Sequence, residues 1–204
     1  MIDPFNIIIT GVGGQGNVLA ARMLGNTLAR SGYRVTIGET FGASQRGGSV
    51  MSHLRVSKER AWSPQIPRGR AHLVISLEPI ESLKVLAMYG NSDVKVISNT
   101  RPIYPVGAIC GDLTYPAMND LNSAISQLCG DIRFINATAE AINLGHPILG
   151  NVIMVGAAAG LGILPLDDES FKSVISENVP ASKIDINMQA YRKGKEMVHN
   201  PVKF

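Results

Sequence analysis

Ile7-Ile8-Ile9-Thr10-Gly11-Val12-Gly13-Gly14-Gln15-Gly16-Asn17 decides the fold. An apolar, β-branched run that stops in a glycine-rich turn and gives way to a helical pattern opens a strand–turn–helix unit. Such a turn aims several backbone N–H groups at one point in front of a helix N-terminus, which makes it an anion site. Over 17–31, Leu19, Ala20, Met23, Leu24 and Leu28 share one helical face, and Asn17 is the expected cap. A second apolar run, Val35-Thr36-Ile37, ends near Glu39, and a second glycine-rich turn follows as Gly42-Ala43-Ser44-Gln45-Arg46-Gly47-Gly48-Ser49.

Working outward, apolar β-branched runs at 7–10, 35–38, 49–56, 72–77 and 94–98 read as strands. The stretch 78–89 reads as a helix with Ile80, Leu83, Leu86 and Ala87 inward. This alternation predicts a parallel sheet covered on both faces, with right-handed crossovers. The stretch 58–70, with Trp62, Pro64 and Pro67, reads as an exposed connection; 101–116, with Pro102, Pro105 and Pro116, reads as short strand pieces and turns. A helix at 119–129 and a strand at 132–136 come next. Four helices follow at 139–144, 151–161, 168–177 and 184–199, punctuated by Pro147, Pro165 and Pro180. The expectation is a single domain over 1–204. Its fold class is α/β: a mostly parallel, Rossmann-like sheet with helices on both faces and a helical C-terminal third.

Composition narrows the function classes. The 204 residues are 45% hydrophobic and only 17% charged, which is a globular profile with too little polarity for disorder. Low charge together with 21 glycines points to a partly covered surface, hence to an oligomer or a subunit. A net charge of +3 with no basic cluster argues against nucleic acid. No stretch approaches the roughly 20 apolar residues that span a bilayer. Met1-Ile2-Asp3-Pro4 carries neither a basic region nor a cleavable apolar segment, so a cytoplasmic location is expected. Cys110 and Cys129, the two cysteines, form no Cys-x-x-Cys pair and read as buried thiols; two cysteines by themselves cannot hold an iron–sulfur cluster.

Gly11, Gly13 and Gly16 match the dinucleotide pattern Gly-x-Gly-x-x-Gly, and Glu39 falls near the place of a ribose-binding acid. Three readings stay open: a nicotinamide or flavin nucleotide site, another phosphate-bearing ligand or partner surface, and a turn that merely permits close packing. Gln15 is unusual in such a pattern, because a polar side chain there can face a ligand or a neighbouring subunit. The stretch 39–49 argues against a plain dehydrogenase, since a loop and then a strand replace the usual helix. Arg46 offers a planar fork for carboxylate or phosphate, and Glu39 is placed to pair with it. His53 and His72 lie in strands and read as packed residues; with His146 and His199 they show no metal-ligand spacing. Asp112 resembles the start of a thiamine-diphosphate motif only superficially, and Asp167-Asp168-Glu169 reads as a helix N-terminal charge set. The chain shows no nucleophile with its base, no metal site and no phosphoryl-transfer lysine.

Gly11-Val12-Gly13-Gly14-Gln15-Gly16 and Ser44-Gln45-Arg46-Gly47-Gly48-Ser49 are the carrying motifs of a family resemblance. With them go Asn151, a Gly/Ala-rich helix ending Leu161-Gly162-Ile163-Leu164-Pro165, and the closing stretch from Asn187 to Gly194. Together they resemble the gamma-type subunit of the 2-oxoacid:ferredoxin oxidoreductases, most nearly its indolepyruvate branch. The resemblance runs from Asn6 to about Met197. It implies a non-autonomous subunit without activity of its own. A partner chain would hold thiamine diphosphate, Mg²⁺ and iron–sulfur clusters, pass electrons to ferredoxin, and release the acyl group on coenzyme A. It also implies that Gly13, Gly14, Gln15 and Gly16, with Ser44, Gln45, Arg46, Gly47 and Gly48, face the thiamine subunit or coenzyme A. Isolated, the chain is expected to be able to pair as a homodimer. The competing reading is a free-standing NAD(P)- or flavin-dependent Rossmann oxidoreductase using Gly11, Gly13, Gly16 and Glu39.

Overall fold

The computed structural model describes residues 2–41 and 48–204. Six strands form one sheet: β1 (Phe5–Val12), β2 (Arg34–Phe41), β3 (Ser49–Ser57), β4 (Leu73–Ser76), β5 (Lys95–Asn99) and β6 (Asp131–Ile135). Their order across the sheet is β2-β3-β1-β4-β5-β6. β1, β4, β5 and β6 are parallel neighbours, as expected. β3 is the exception in the mostly parallel sheet: it runs antiparallel between β1 and β2 and pairs with both along their full lengths. The reason is local. Only seven residues, 42–48, separate β2 from β3, and antiparallel neighbours need only a short connection where parallel ones need a dozen residues or more.

Helices cover both faces. α1 (Asn17–Arg30), α5 (Ala137–Asn143), α6 (Gly150–Gly160), α7 (Asp168–Asn178) and α8 (Ala181–Met197) contribute to one core; α2 (Pro79–Tyr89) and α4 (Met118–Ser126) contribute to the other. Strand alternation feeds both. Ile7 and Ile9 of β1 enter the first core and Ile8 the second, each with no exposure, as side chains two apart must. The first core is closed by an unusually close helix pair. A methyl group placed on Gly194 of α8 would collide with the Ile153 carbonyl of α6, and one on Gly156 with the Tyr191 carbonyl. Tyr191 in turn stacks on Phe171 of α7, ring centroids 3.9 Å apart.

Several local expectations change. Asn17 does not cap α1; Gly16 stands at the N-cap in a left-handed conformation, and the Asn17 amide donates to the Val12 carbonyl instead. Leu19 is 42% exposed rather than inward. Ala87 is exposed, and the inward face of α2 carries Glu81 and Ser82 in its place. The stretch 101–116 contains no strand, only the one-turn helix α3 (Val106–Ile109). Cys110 is exposed and Cys129 half-buried, so the pair are not two buried thiols. His53 and His72 are packed as expected, each accepting a backbone N–H at Nδ1, from Ile66 and Asn6 respectively. Burial pushes both imidazoles toward the neutral form. Asp167 caps α7 through the Ser170 N–H, 2.7 Å away. Among the described residues no helix is long and apolar enough to cross a membrane.

Candidate functional site at the carboxyl edge of the sheet

The first glycine turn sits where β1 ends and α1 begins. Gly14 and Gly16 have φ of +101° and +83°, conformations that a side chain resists. Gln15 fixes the turn from within. Its Oε1 accepts the Val12 N–H at 2.9 Å, while its Nε2 donates to the Leu77 carbonyl at 2.8 Å. A side-chain amide thus holds one of the backbone donors at this strand-to-helix turn and ties β1 to the end of β4. The Leu77 carbonyl also accepts from Asn99 Nδ2 at 3.2 Å, and the same amide reaches Thr138 Oγ1 at 2.9 Å. One chain of hydrogen bonds therefore crosses the carboxyl edges of β1, β4 and β5 to the start of α5.

The two glycine motifs meet. The Gly13 N–H donates to the Gly48 carbonyl at 2.8 Å. Ser44, Gln45, Arg46 and Gly47 lie outside the described residues; Gly48 and Ser49 are within them. Ser49 is gripped from α2, donating to the buried Glu81 carboxylate at 2.9 Å. Lys84 reaches the same carboxylate at 2.6 Å and the Ser49 hydroxyl at 3.3 Å. Glu78, fully buried at the N-cap of α2, holds the other side: its carboxylate accepts from the Glu81 and Ile103 N–H groups and from the Tyr115 hydroxyl. Burial raises the Glu78 carboxyl, against the lowering effect of these donors. Burial and the carboxylate also raise the Tyr115 hydroxyl. Sequence patterning missed Glu78 and Glu81 because polar residues at inward helical positions carry no apolar signal; only Pro79 behind an acidic residue marks the cap.

Glu39 is placed apart from the turn. It lies on β2, opposite Ser52 of β3, so a whole strand separates it from β1. Its carboxylate is 3.9 Å from Arg22 of α1.

Against the first turn lies a cavity of about 450 Å³, bounded by Gly14, Gln15, Leu77, Asn99, Arg101 and Asn151 among others. It opens at the carboxyl edge of the parallel strands, where the chain passes from one side of β1 to the other, the usual ligand position in open α/β sheets. The N-termini of α1 and α6 bracket it, and Arg101 brings an exposed guanidinium. Asn151 is 2% exposed and neither amide atom has a hydrogen-bond partner; Asn17 Oδ1 is likewise buried and unpaired. The arrangement suits an anionic group. Among the described residues no three His, Cys, Asp or Glu side chains converge on a point that could hold a metal ion. Two cysteines, one exposed and one half-buried, do not supply the thiolates an iron–sulfur cluster needs.

A mixed six-stranded α/β sheet whose first glycine turn bonds Gly48 at its carboxyl edge defines the class. Residues 6–197 match the pyruvate ferredoxin/flavodoxin oxidoreductase family, and the chain belongs to that family. More particularly, it is 38% identical over 203 residues to an indolepyruvate oxidoreductase subunit of Thermococcus kodakarensis, covering 97% of this chain and 99% of the relative. A second such subunit, from Pyrococcus horikoshii, is 36% identical over 97% of this chain and 100% of its own length. A solved keto/oxoacid ferredoxin oxidoreductase gamma subunit from Geobacter sulfurreducens superposes with a TM-score of 0.71 at 19% identity, over 99% of this chain and all of the other. The 2-oxoglutarate:ferredoxin oxidoreductase of Magnetococcus marinus gives a TM-score of 0.77 at 17% identity, with the whole of this chain matching 32% of that one.

Proposed function

We propose that the chain is the small, non-autonomous subunit of a thiamine-diphosphate-dependent aryl-pyruvate:ferredoxin oxidoreductase, with indolepyruvate the favoured 2-oxoacid. The complex oxidatively decarboxylates the 2-oxoacid, transfers the acyl group to coenzyme A and reduces ferredoxin. The observation that carries this reading is the hydrogen bond from Gly13 to Gly48, which joins the two glycine motifs at the carboxyl edge of β1. In this reading Gly13, Gly14, Gln15, Gly16 and Gly48, with Ser44, Gln45, Arg46 and Gly47, face coenzyme A or the thiamine-bearing partner. Thiamine diphosphate, Mg²⁺ and the iron–sulfur clusters belong to the partner in this reading: the sequence holds only two cysteines, and among the described residues no acidic side chains converge on a metal site. The identity to subunits named for indolepyruvate supports the substrate class.

The competing dehydrogenase reading is weakened by geometry. Strands lie about 4.8 Å apart, so the interposed β3 puts the strand of Glu39 about 10 Å from β1 instead of one spacing away. Gln15 also holds the Val12 N–H, one of the donors at the turn where a diphosphate would sit. The test is anaerobic purification of the tagged chain from its host. Recovery of a large thiamine- and cluster-containing chain, with aryl-pyruvate- and coenzyme-A-dependent dye reduction that the isolated chain lacks, supports the proposal. Recovery of the chain alone with a stoichiometric dinucleotide overturns it.

A further inference from the structure

Between Arg101, in the wall of the cavity, and Tyr115, the chain turns outward and exposes side chains that a protein surface normally covers. Residues 102–111 contain no charged side chain, and their only polar side groups are the Tyr104 hydroxyl and the Cys110 thiol. Tyr104, Val106, Ile109 and Leu113 are each 55–75% exposed. Together they leave on the order of 500 Å² bare, as much as the largest apolar patch of a typical monomer. The centre of a protein interface has this composition, poor in charge and rich in apolar and aromatic side chains.

One buried side chain fixes the segment at both ends. Glu78 accepts the Ile103 N–H at 3.2 Å and the Tyr115 hydroxyl at 2.5 Å, both on Oε1. Tyr104 sets its ring edge-on to Tyr115, centroids 5.2 Å apart. Between these anchors the Gly107 carbonyl accepts the Asp112 and Leu113 N–H groups at 2.8 and 3.0 Å, closing the turn around α3. Burying a carboxylate is costly, and here the buried group holds apolar side chains out of the core. A surface fixed in advance loses less freedom when a partner covers it.

We propose that the segment 102–113 is a docking surface for the large thiamine- and cluster-bearing chain, an inference that rests on the function proposed above. Position selects this occupant. Arg101 and Ile103 line the cavity from the segment's side, and Ile142 and Ile148, both about half-exposed, line it from the other. A body that covers these apolar side chains therefore also reaches the mouth of the cavity at the first glycine turn. A second copy seated here about a two-fold axis would set cavity mouth against cavity mouth. Both cavities would then be closed to the reacting groups that this chain does not itself supply.

Cys110 is an exposed reporter within the segment, whereas Cys129 is half-buried and its thiol is pushed up by burial. The test treats the isolated chain, and the complex purified anaerobically through the tagged chain, with N-ethylmaleimide. Alkylation of each cysteine is followed by peptide mass spectrometry. Cys110 is expected to react about tenfold more slowly in the complex than in the isolated chain, with Cys129 slow in both. Ile109→Asp, at an exposed position, is expected to cut recovery of the large chain about tenfold. Met88→Asp, exposed at the far end of α2 from Glu78, is expected to leave recovery unchanged. Both variants should keep the urea midpoint of the wild type. A complex in which Cys110 stays as reactive as in the isolated chain, or which tolerates Ile109→Asp, overturns the docking surface and leaves the proposed function standing. Protection of Cys110 that grows with the concentration of the isolated chain assigns the segment to a second copy and overturns it too. Absence of a thiamine- and cluster-bearing chain from the wild-type purification overturns both.

Discussion

Gln15 shows how a side chain can be read correctly as unusual and still have its role hidden. Sequence marks it as an unusual polar side chain able to face a ligand or a neighbouring subunit, but not that its amide turns back on Val12 and across to Leu77. Hydrogen bonds that join residues 62 apart leave no periodic trace. Gln15→Leu is expected to lose both bonds and cost about 1–3 kcal/mol, seen as a lower urea midpoint at unchanged slope. Glu78 carries a pH prediction. Burial raises its carboxyl in the folded state above its ordinary value, so the folded chain holds that proton to higher pH than the unfolded chain does. Its contribution is therefore fully present below the ordinary carboxylate range and is lost as pH rises through the folded value. Unfolding free energies of the wild type and Glu78→Gln, compared as pH rises from the ordinary carboxylate range, should shift in favour of the glutamine variant and level off once the folded value is passed. A difference independent of pH would mean that Glu78 is ionised equally in both states.

At the scale of elements, strands and helices were legible because each is written in one continuous period. All six strands and the long helices fall where apolar runs and helical spacing place them, with ends moved by a few residues. What could not be read is pairing. β3 has the same β-branched composition whether it runs parallel or antiparallel, and its insertion between β1 and β2 is visible only in the sheet. The stretch 101–116 was misread for a related reason: its apolar residues Tyr104, Val106, Ile109 and Leu113 point outward, and exposure has no sequence period of its own. The Gly/Ala richness of α6 was legible, but its consequence, backbone contact with α8, needed the partner helix. Gly194→Ala drives a methyl group into the Ile153 carbonyl, which no rotamer can relieve. Its cost should reach about 3 kcal/mol, the upper end of overpacking effects, or about 6–12 °C in Tm. Glu177→Ala, which removes the exposed partner of Arg30, should change stability by less than about 1 kcal/mol. Differential scanning calorimetry of the two variants separates a backbone contact from a surface ion pair.

For the whole molecule, the question is whether a helical C-terminal third is a separate cooperative unit or one side of a single one. Its helices α6, α7 and α8 share a core with Ile7, Ile9, Leu54 and Ile75, while Ile8 and Val74 on the same strands face the other core. Neither core can lose its packing without exposing the reverse side of β1 and β4, so both faces should unfold together. The chain supplies its own reporters. Trp62, the single tryptophan, is held between the guanidinium groups of Arg55 and Arg60, 4.8 and 4.1 Å from its ring. Arg55 leaves β3 on the side opposite Leu54 and Val56, away from the core of α6–α8. Tryptophan fluorescence therefore follows one face of the sheet, and far-ultraviolet circular dichroism is weighted toward the helices of the other. In urea the two signals should give superimposable transitions with one midpoint, as a two-state unit requires. Gly194→Ala, whose lesion lies wholly in the helical layer, should lower the fluorescence midpoint as far as the dichroism midpoint. A dichroism transition that moved alone would show that the helical layer melts off an intact sheet, and that the shared strands do not couple the two cores.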